Sequence, residues 1–388
     1  MSREYRCPSG PLRPSRSLPT TVDARALAAL RLPRLIYDFI DGGAGNERGV
    51  ASNEHDLGSV LLQPRVLADV QTISLGTPLF GREWNVPFGI APMGMCDLAW
   101  PGTDQSFAAL SGRHNLPLCV STASSTTLEE MLRRSGGRAW FQLYVTGSTE
   151  DAIAMSDRAA RAGYDTLMLT VDVPRIGKRP RDLRNGFVTP FHMTFKHFLD
   201  FATHPQWSLK TLGSGMPKMK NFSGANANGY DRNAPRTGAD WKFLQRLRER
   251  WRGKLVVKGV LSSEDSLRIK DYGVDAIYVS NHGGRQLDSA PSSMTVLPAI
   301  REAVGQAYPL LFDGGIRTGE DMVKAKALGA DFVMVGRPFL YAMAAIGPEG
   351  AERLFSCFKG EIEATLAQLG VASFAAVTSD CIYRSPKP

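Results

Sequence analysis

Cysteine is scarce and poorly placed for chemistry: five in 388 residues, at Cys7, Cys96, Cys119, Cys357 and Cys381, with no CxxC pair. That spacing excludes a disulfide scaffold and fits free thiols in a reducing cytosol. No apolar run approaches the ~20 residues of a membrane-spanning helix. The N-terminus also lacks the apolar core of a secretory signal, so the expectation is a cytoplasmic protein. Zinc-ligand spacings, a lysine-rich tail and an RNA-binding aromatic signature are missing too. The formal net charge of +8 therefore does not point to nucleic acid. It is matched instead to acidic substrates, a phosphate-bearing cofactor or an anionic membrane face.

What is present is a globular composition long enough for two ordinary domains or one large barrel. Residues 1–22, rich in Arg, Pro and Ser, read as a flexible N-terminal arm. Helical pattern then runs over Ala24–Leu32 and, after Pro33, over Arg34–Ile40, ending at Gly42-Gly43-Ala44-Gly45.

From Val86 onward a beat sets in. Short apolar runs occur at Phe88–Ala91, Leu116–Val120, Ala139–Leu143, Thr166–Val171, Leu255–Val257, Ala276–Val279, Tyr308–Phe312 and Asp331–Val335. Helix-like segments such as Asp104–His114, Ser148–Ala162, Ser263–Tyr272 and Gly319–Leu328 lie between them. Eight strands alternating with helices predict an α/β fold, a (β/α)8 TIM barrel spanning residues 23–388. A doubly wound open sheet is the alternative.

One interval breaks the beat. More than eighty residues separate Val171 from Leu255, and 186–240 reads as an insertion. Gly213–Arg236, crowded with Gly, Ser, Asn and Lys, is expected to be poorly ordered. Before it, Phe191, Phe195 and Phe198 fall on one helical face, away from Lys196 and Asp200. Two readings stand: a lid over the barrel mouth, or a segment lying in a membrane interface.

A barrel carries its chemistry just past the C-terminal ends of its strands. Reading those positions in order gives Pro92-Met93-Gly94, Ser121, Gln142 with Tyr144, Thr170 with Asp172 and then Arg179. There follow Lys258, Ser280 with His282, Asp313-Gly314-Gly315, and Gly336-Arg337. Every strand delivers glycine or a polar residue to one rim. Asp313-Gly314-Gly315-Ile316-Arg317 and Gly336-Arg337 follow the last two strands, the usual barrel phosphate site. Glycines there let backbone N–H groups approach a phosphate, and arginines add charge-assisted hydrogen bonds.

The most specific stretch is Ser280-Asn281-His282-Gly283-Gly284-Arg285-Gln286-Leu287-Asp288. It displays a base that titrates near neutrality beside a two-pronged anion grip. This run resembles the signature of the FMN-dependent L-2-hydroxy-acid oxidising family, which includes glycolate oxidase, L-lactate dehydrogenase and (S)-mandelate dehydrogenase. Trp140-Phe141-Gln142-Leu143-Tyr144-Val145, Arg181-Asp182-Leu183 and His204-Pro205-Gln206-Trp207-Ser208-Leu209 extend the likeness from Leu32 to about Leu369.

The resemblance implies roles. His282 would take a proton from the substrate while C2 releases two electrons to the flavin, and Asp172 would orient His282. Arg179 and Arg285 would clamp the substrate carboxylate, Tyr144 would hydrogen-bond near the reacting oxygen, and Lys258 would stabilise anionic reduced flavin. FMN contacts would come from Pro92, Met93, Gly94, Ser121, Gln142, Thr170, Lys258, Ser280, Asp313, Gly314, Gly315, Arg317, Gly336 and Arg337. Phe39 stands where the family usually has a carboxylate-binding tyrosine, and Ala123 stands where glycolate oxidase has tryptophan, opening room for a bulkier or aromatic substrate. Gly94 follows the dehydrogenase branch, implying a quinone or other carrier as electron acceptor. An oxidase releasing hydrogen peroxide, a redox-neutral flavin barrel enzyme and a silent flavin-binding protein are the alternatives. The likeness further implies a homo-tetramer, peripheral on the inner face of the cell membrane through the region around 190–224.

Overall fold

The computed structural model describes residues 18–187, 192–222 and 236–384. A small antiparallel hairpin comes first, β1 (Thr77–Leu79) with β2 (Arg82–Trp84). The eight barrel strands are β3 (Phe88–Met93), β4 (Leu118–Ser121), β5 (Ala139–Leu143), β6 (Thr166–Thr170), β7 (Lys254–Val260), β8 (Ala276–Val279), β9 (Leu310–Phe312) and β10 (Phe332–Val335). Each pairs in parallel with the next, and β10 returns to β3 to close the barrel. The open doubly wound sheet is thereby excluded. Every residue of β4, β5, β6, β8, β9 and β10 is buried. Helices cover one face and barrel packing fills the other, which is why these strands read as unbroken apolar runs.

Three helices precede the barrel: α1 (Thr21–Arg31), α2 (Arg34–Asp41) and α3 (Arg48–Ser59). Thr20 caps α1 by accepting from the Asp23 amide. Leu18 and Thr21, assigned from the sequence to the arm, are buried. Between strands come α4 (Thr103–His114), α5 (Leu128–Arg134) and α6 (Thr149–Ala162). The β6–β7 interval holds α7 (Pro180–Arg184), α8 (Phe195–Ala202), α9 (Pro205–Ser214) and α10 (Trp241–Arg250). Then follow α11 (Ser263–Asp271), α12 (Ser293–Val304), α13 (Gly319–Ala327), α14 (Arg337–Ile346) and α15 (Pro348–Leu369). Capping boxes start α6 at Ser148 and α13 at Thr318, each with an aspartate three residues on.

The barrel interior is a packed layer that includes Ala91, Cys119, Trp140, Met168, Val256, Tyr278, Leu311 and Phe332. Leu79 and Trp84 of the hairpin join it, Trp84 meeting Trp140 edge-on at 6.0 Å. Trp140 and Phe332 lie at the N-terminal ends of β5 and β10, so the hairpin plugs the barrel bottom. Chemistry is left to the opposite mouth.

In the insertion, α8 and α9 are fastened from below. His197 is buried with Nε2 2.8 Å from the Asn185 carbonyl, and the Trp207 indole N–H donates to the Leu98 carbonyl at 2.7 Å. Phe195, Phe198, Leu199, Leu209 and Leu212 point outward, exposed. Phe191 and residues 223–235, most of the stretch expected to be poorly ordered, lie outside the described residues. Of the five cysteines, Cys96, Cys119, Cys357 and Cys381 are described, and all are free thiols.

Candidate active site

Strand register aligns the rim. Ser121 of β4 sits opposite Gln142 of β5, and Thr170 of β6 opposite Lys258 of β7, which faces Tyr278 of β8. Gln142 accepts from the Ser121 hydroxyl at 3.0 Å and stands 3.0 Å from the Thr170 hydroxyl through its amide nitrogen. Lys258, 3 % exposed, donates to Ser280 Oγ at 2.6 Å and lies 3.3 Å from Asp313 Oδ2. Asp313 also accepts from the Ser280 hydroxyl at 2.5 Å and from the Tyr278 hydroxyl at 2.8 Å. A buried ammonium is thus held at the mouth with a carboxylate and two hydroxyls around it, satisfied rather than stranded.

Above this floor opens a cavity of about 250 Å³. Its walls include Phe39, Pro92, Met93, Gly94, Ser121, Ala123, Tyr144, Arg179, Lys258, His282, Arg285, Asp313, Gly314, Gly315, Arg317, Gly336 and Arg337. The residues expected from the strand ends are therefore brought together, with four exceptions in depth. Gln142, Thr170 and Ser280 form the hydrogen-bonded layer beneath the wall, and Asp172 stands behind His282.

His282 Nδ1 lies 3.0 Å from both Asp172 carboxylate oxygens. A carboxylate can only accept, so Nδ1 carries the proton and Nε2 keeps its lone pair for a ligand. Burial holds the imidazole below the ordinary histidine range; Asp172 pulls upward, and the Lys258 and Arg179 cations push down again. Burial would raise Asp172, yet the His282 ring and Lys258 keep it below the usual carboxylate range. Together these describe a neutral histidine backed by an ionised aspartate, a poised base. His282 has φ +58°, a left-handed conformation that costs a non-glycine residue about 1–3 kcal/mol and clusters at functional sites. Its amide donates to Ser280 Oγ at 3.0 Å, and the following turn is anchored where Asp288 accepts from the Asn46 amide at 2.8 Å.

The two arginines of the motif region differ in what surrounds them. Arg285 donates to the Gly42 carbonyl at 2.6 Å, at the C-terminal end of α2. Arg337 takes the same carbonyl at 2.9 Å, the Gly283 carbonyl at 2.8 Å and the Ile40 carbonyl at 3.2 Å. These three bonds use three of the five guanidinium N–H groups, so Arg337 still has an N–H on each terminal nitrogen, besides its backbone amide at the first turn of α14, to offer an anion. Arg179 sits at the N-cap of α7. Its neighbour Arg181 is no plain surface charge: it reaches Asp41 at 2.7 Å and pairs with Glu47, tying α7 to the N-terminal helices.

The phosphate expectation can be tested on geometry. Gly314 and Gly315 have φ of +108° and +86°, and a Cβ on Gly315 would fall 2.4 Å from the Asn53 carbonyl oxygen. Gly336 begins α14 with no side-chain cap, so the amides of its first turn are not capped by a side chain. Arg317 Nε is buried and finds no hydrogen-bond partner, while its Nη2 pairs with Glu54 at 2.7 Å. A glycine cradle, an uncapped helix N-terminus and an orphaned guanidinium N–H converge on one end of the cavity, and they fit a phosphate.

Several wall residues were not foreseen: Met95, Ile176, Phe187, Met219, Arg236 and Gln286. Phe187, Met219 and Arg236 come from the insertion, where no periodicity places a side chain. Tyr278 was findable, because Ala276, Tyr278 and Ser280 share one face of a strand.

A (β/α)8 barrel with a phosphate cradle, a buried lysine and a His–Asp pair around one cavity is a cofactor-dependent barrel enzyme. The family profile of FMN-dependent dehydrogenases matches residues 28–384, and the chain belongs to that family. Its cofactor is FMN, which the cradle fits. The chain is similar to (S)-mandelate dehydrogenase of Pseudomonas putida, 38 % identical over 372 residues, 94 % of each chain. It is 38 % identical over 369 residues to an L-lactate dehydrogenase of Caulobacter sp. strain K31, covering 91 % of this chain and 95 % of the other. The crystal structure of the monotopic membrane protein (S)-mandelate dehydrogenase superposes with a TM-score of 0.90 at 38 % identity, over 94 % of this chain and 99 % of that one.

Proposed function

We propose that this protein oxidises an L-2-hydroxy acid with a bulky or aromatic side chain to the 2-oxo acid and passes the electrons to a quinone or another carrier. The observation that carries the reading is the His282–Asp172 pair facing the same cavity as Arg179, Arg285 and Lys258. FMN, when bound, supplies the two-electron acceptor. Arg179 and Arg285 bind the substrate carboxylate, and Tyr144 orients the C2 oxygen. The C2–H and O–H bonds both break as the C2–O bond becomes double: His282 Nε2 takes one of the two hydrogens as a proton, and the other proton leaves with the two electrons for bound FMN. Asp172 stabilises the imidazolium so formed, worth roughly 10²–10⁴ in rate together with the base itself. Lys258, a buried cation lining the same cavity, would stabilise negative charge developing on bound FMN, and a preorganised cation lowers that cost. Gly314, Gly315, Arg317 and the α14 amides at Gly336 and Arg337 hold the phosphate. Pro92, Met93, Gly94, Ser121 and Asp313 on the cavity wall would contact the rest of FMN, supported from below by Gln142, Thr170 and Ser280.

Anaerobic mixing of the FMN-loaded protein with (S)-mandelate, (R)-mandelate and L-lactate tests this through the visible absorbance of oxidised flavin. Rapid bleaching by one S-enantiomer is expected. Bound flavin that none of them bleaches would overturn the hydroxy-acid reading. Re-oxidation by a quinone that outpaces air separates the dehydrogenase from a peroxide-releasing oxidase.

The same reading includes a peripheral membrane attachment through α8 and α9. Their outward Phe195, Phe198, Leu199, Leu209 and Leu212, with exposed Lys196 and Lys218 nearby, form an apolar face with a basic border. No helix among the described residues is long and apolar enough to cross a membrane. Co-flotation with anionic vesicles that Leu209→Asp with Leu212→Asp abolishes is the expected outcome.

A further inference from the structure

Among the described residues, the cavity wall carries six Lys and Arg cations, Arg179, Arg236, Lys258, Arg285, Arg317 and Arg337, against one carboxylate, Asp313. Five of them have roles in the reading above. Arg317 and Arg337 serve the phosphate end, Lys258 stands beside Asp313, and Arg179 with Arg285 holds the substrate carboxylate. The role of Arg236 is still open. It is not a surface residue, being 7 % exposed.

Its position is set by its surroundings. The Arg236 amide donates to the Pro174 carbonyl in the loop after β6 at 2.8 Å. Two residues on, a Cβ at Gly238 would stand 2.9 Å from Val145 Cγ1 and 3.3 Å from Thr149 Cγ2, so the chain lies close against the loop after β5. The guanidinium carbon sits 4.7 Å from the centre of the Tyr144 ring. Arg236 thus reaches the cavity beside Tyr144, on a wall that also holds the apolar Phe39, Phe187, Ala123 and Met219.

Resting on the function proposed above, we infer that Arg236 is a specificity-determining residue that recognises a second acidic group on the substrate. The substrate class is an L-2-hydroxy acid whose apolar side chain, aryl or short alkyl, ends in a carboxylate. Arg179 and Arg285 hold the carboxylate next to C2. Phe39, Phe187, Ala123 and Met219 accept the spacer, and Arg236 receives the far end.

The test compares matched pairs on the FMN-loaded protein: (S)-mandelate against (S)-4-carboxymandelate, and L-2-hydroxybutyrate against L-2-hydroxyglutarate. In at least one pair kcat/KM is expected to favour the carboxylated member by about ten- to a hundred-fold, the range of a charge-assisted hydrogen bond. Arg236→Gln is expected to remove that preference and Arg236→Lys to keep part of it. A binding measurement runs independently of turnover, titrating 4-carboxybenzoylformate and benzoylformate into the oxidised protein by flavin absorbance. Tighter binding of the dianion with no turnover of any acid would sink the oxidation reading and leave the Arg236 site standing. Equal preference within every pair in the unsubstituted protein would overturn the inference even if Arg236→Gln failed to fold. An Arg236→Gln variant that loses activity equally on both members would also overturn it, leaving Arg236 a brace for Tyr144.

Discussion

Phe39 and Phe187 lie stacked, ring centroids 4.4 Å apart and planes 13° from parallel, joining α2 to the chain that leaves α7. The Arg285 guanidinium carbon stands 5.5 Å from the Phe39 ring centre. A phenylalanine at this point keeps the ring contacts and offers no hydroxyl to a carboxylate. The aromatic wall is retained and a hydrogen bond to the carboxylate is given up, so binding rests more on apolar contact, which favours substrates with a large apolar side chain over small ones.

That exchange predicts the outcome of Phe39→Tyr. A restored hydroxyl within reach of the substrate carboxylate is worth about 0.5–1.5 kcal/mol, more where the acceptor is charged. KM for L-lactate is expected to fall about three- to ten-fold with little change in kcat, and KM for (S)-mandelate to fall less. Steady-state kinetics on the two substrates checks it. An unchanged KM for both would mean that the ring edge does not face the carboxylate.

The His282–Asp172 pair predicts a pH profile. Burial and two nearby cations keep the His282 pKa below its ordinary value, so the neutral base persists as pH falls and is lost only below that value. In the free enzyme kcat/KM should be flat through neutrality, with an acid limb below the ordinary histidine pKa of ~6.5. Asp172→Asn removes the charge that steadies the imidazolium and puts an amide N–H donor beside an acceptor, so the tautomer is no longer fixed. A loss of about 10²–10⁴ in kcat is expected with FMN still bound. A variant that kept its full rate would show that Asp172 is only structural.

Lys258 predicts a redox signature. Truncation as Lys258→Met leaves Asp313 buried beside Ser280 and Tyr278 without its cation, and breaking a buried pair by one partner costs about 3–5 kcal/mol. Two readouts are expected to move together: a lower unfolding temperature and a more negative midpoint potential of the bound flavin. Spectroelectrochemistry on the purified variant separates them. A lower stability with an unchanged potential would place Lys258 in the scaffold alone.

Much of this was legible because the constraint that makes the signal is strong. Strands buried on both faces must be apolar throughout, so all eight runs from Phe88 to Val335 stand out and their C-terminal neighbours could be named. The hairpin Thr77–Trp84 left no such trace, since three-residue strands carry too little pattern and their role is to fill the barrel bottom. His282 and Arg285 were visible as chemistry. That Arg337 would face three backbone carbonyls was not, because hydrogen-bond partners 54 to 297 residues away leave no local mark. Arg236 and Phe187 were invisible for a related reason: they enter the cavity from an insertion whose path no periodicity describes.

Asp104 predicts how stability depends on pH. It begins α4 and holds the loop after β4 in place, accepting from the Ser124 hydroxyl at 2.8 Å and from the Ser125 and Thr126 amides at 2.6 and 3.1 Å. That loop carries Ala123 of the cavity wall. Burial, with Asp97 nearby, pushes the Asp104 carboxyl up to about 6, against the hydrogen bonds that favour its ionised form. The folded chain therefore binds a proton more tightly there than the unfolded chain does. The sign follows: this contribution to stability is fully present below the unfolded pKa of ~4 and is lost as pH rises through about 6. Asp104→Asn keeps an oxygen for the two amides and removes the titration. Its unfolding temperature is expected to exceed that of the parent at pH 8 and to lose that advantage at pH 4. Thermal unfolding of both proteins at the two pH values decides it, and parallel curves would assign the pH dependence to other groups.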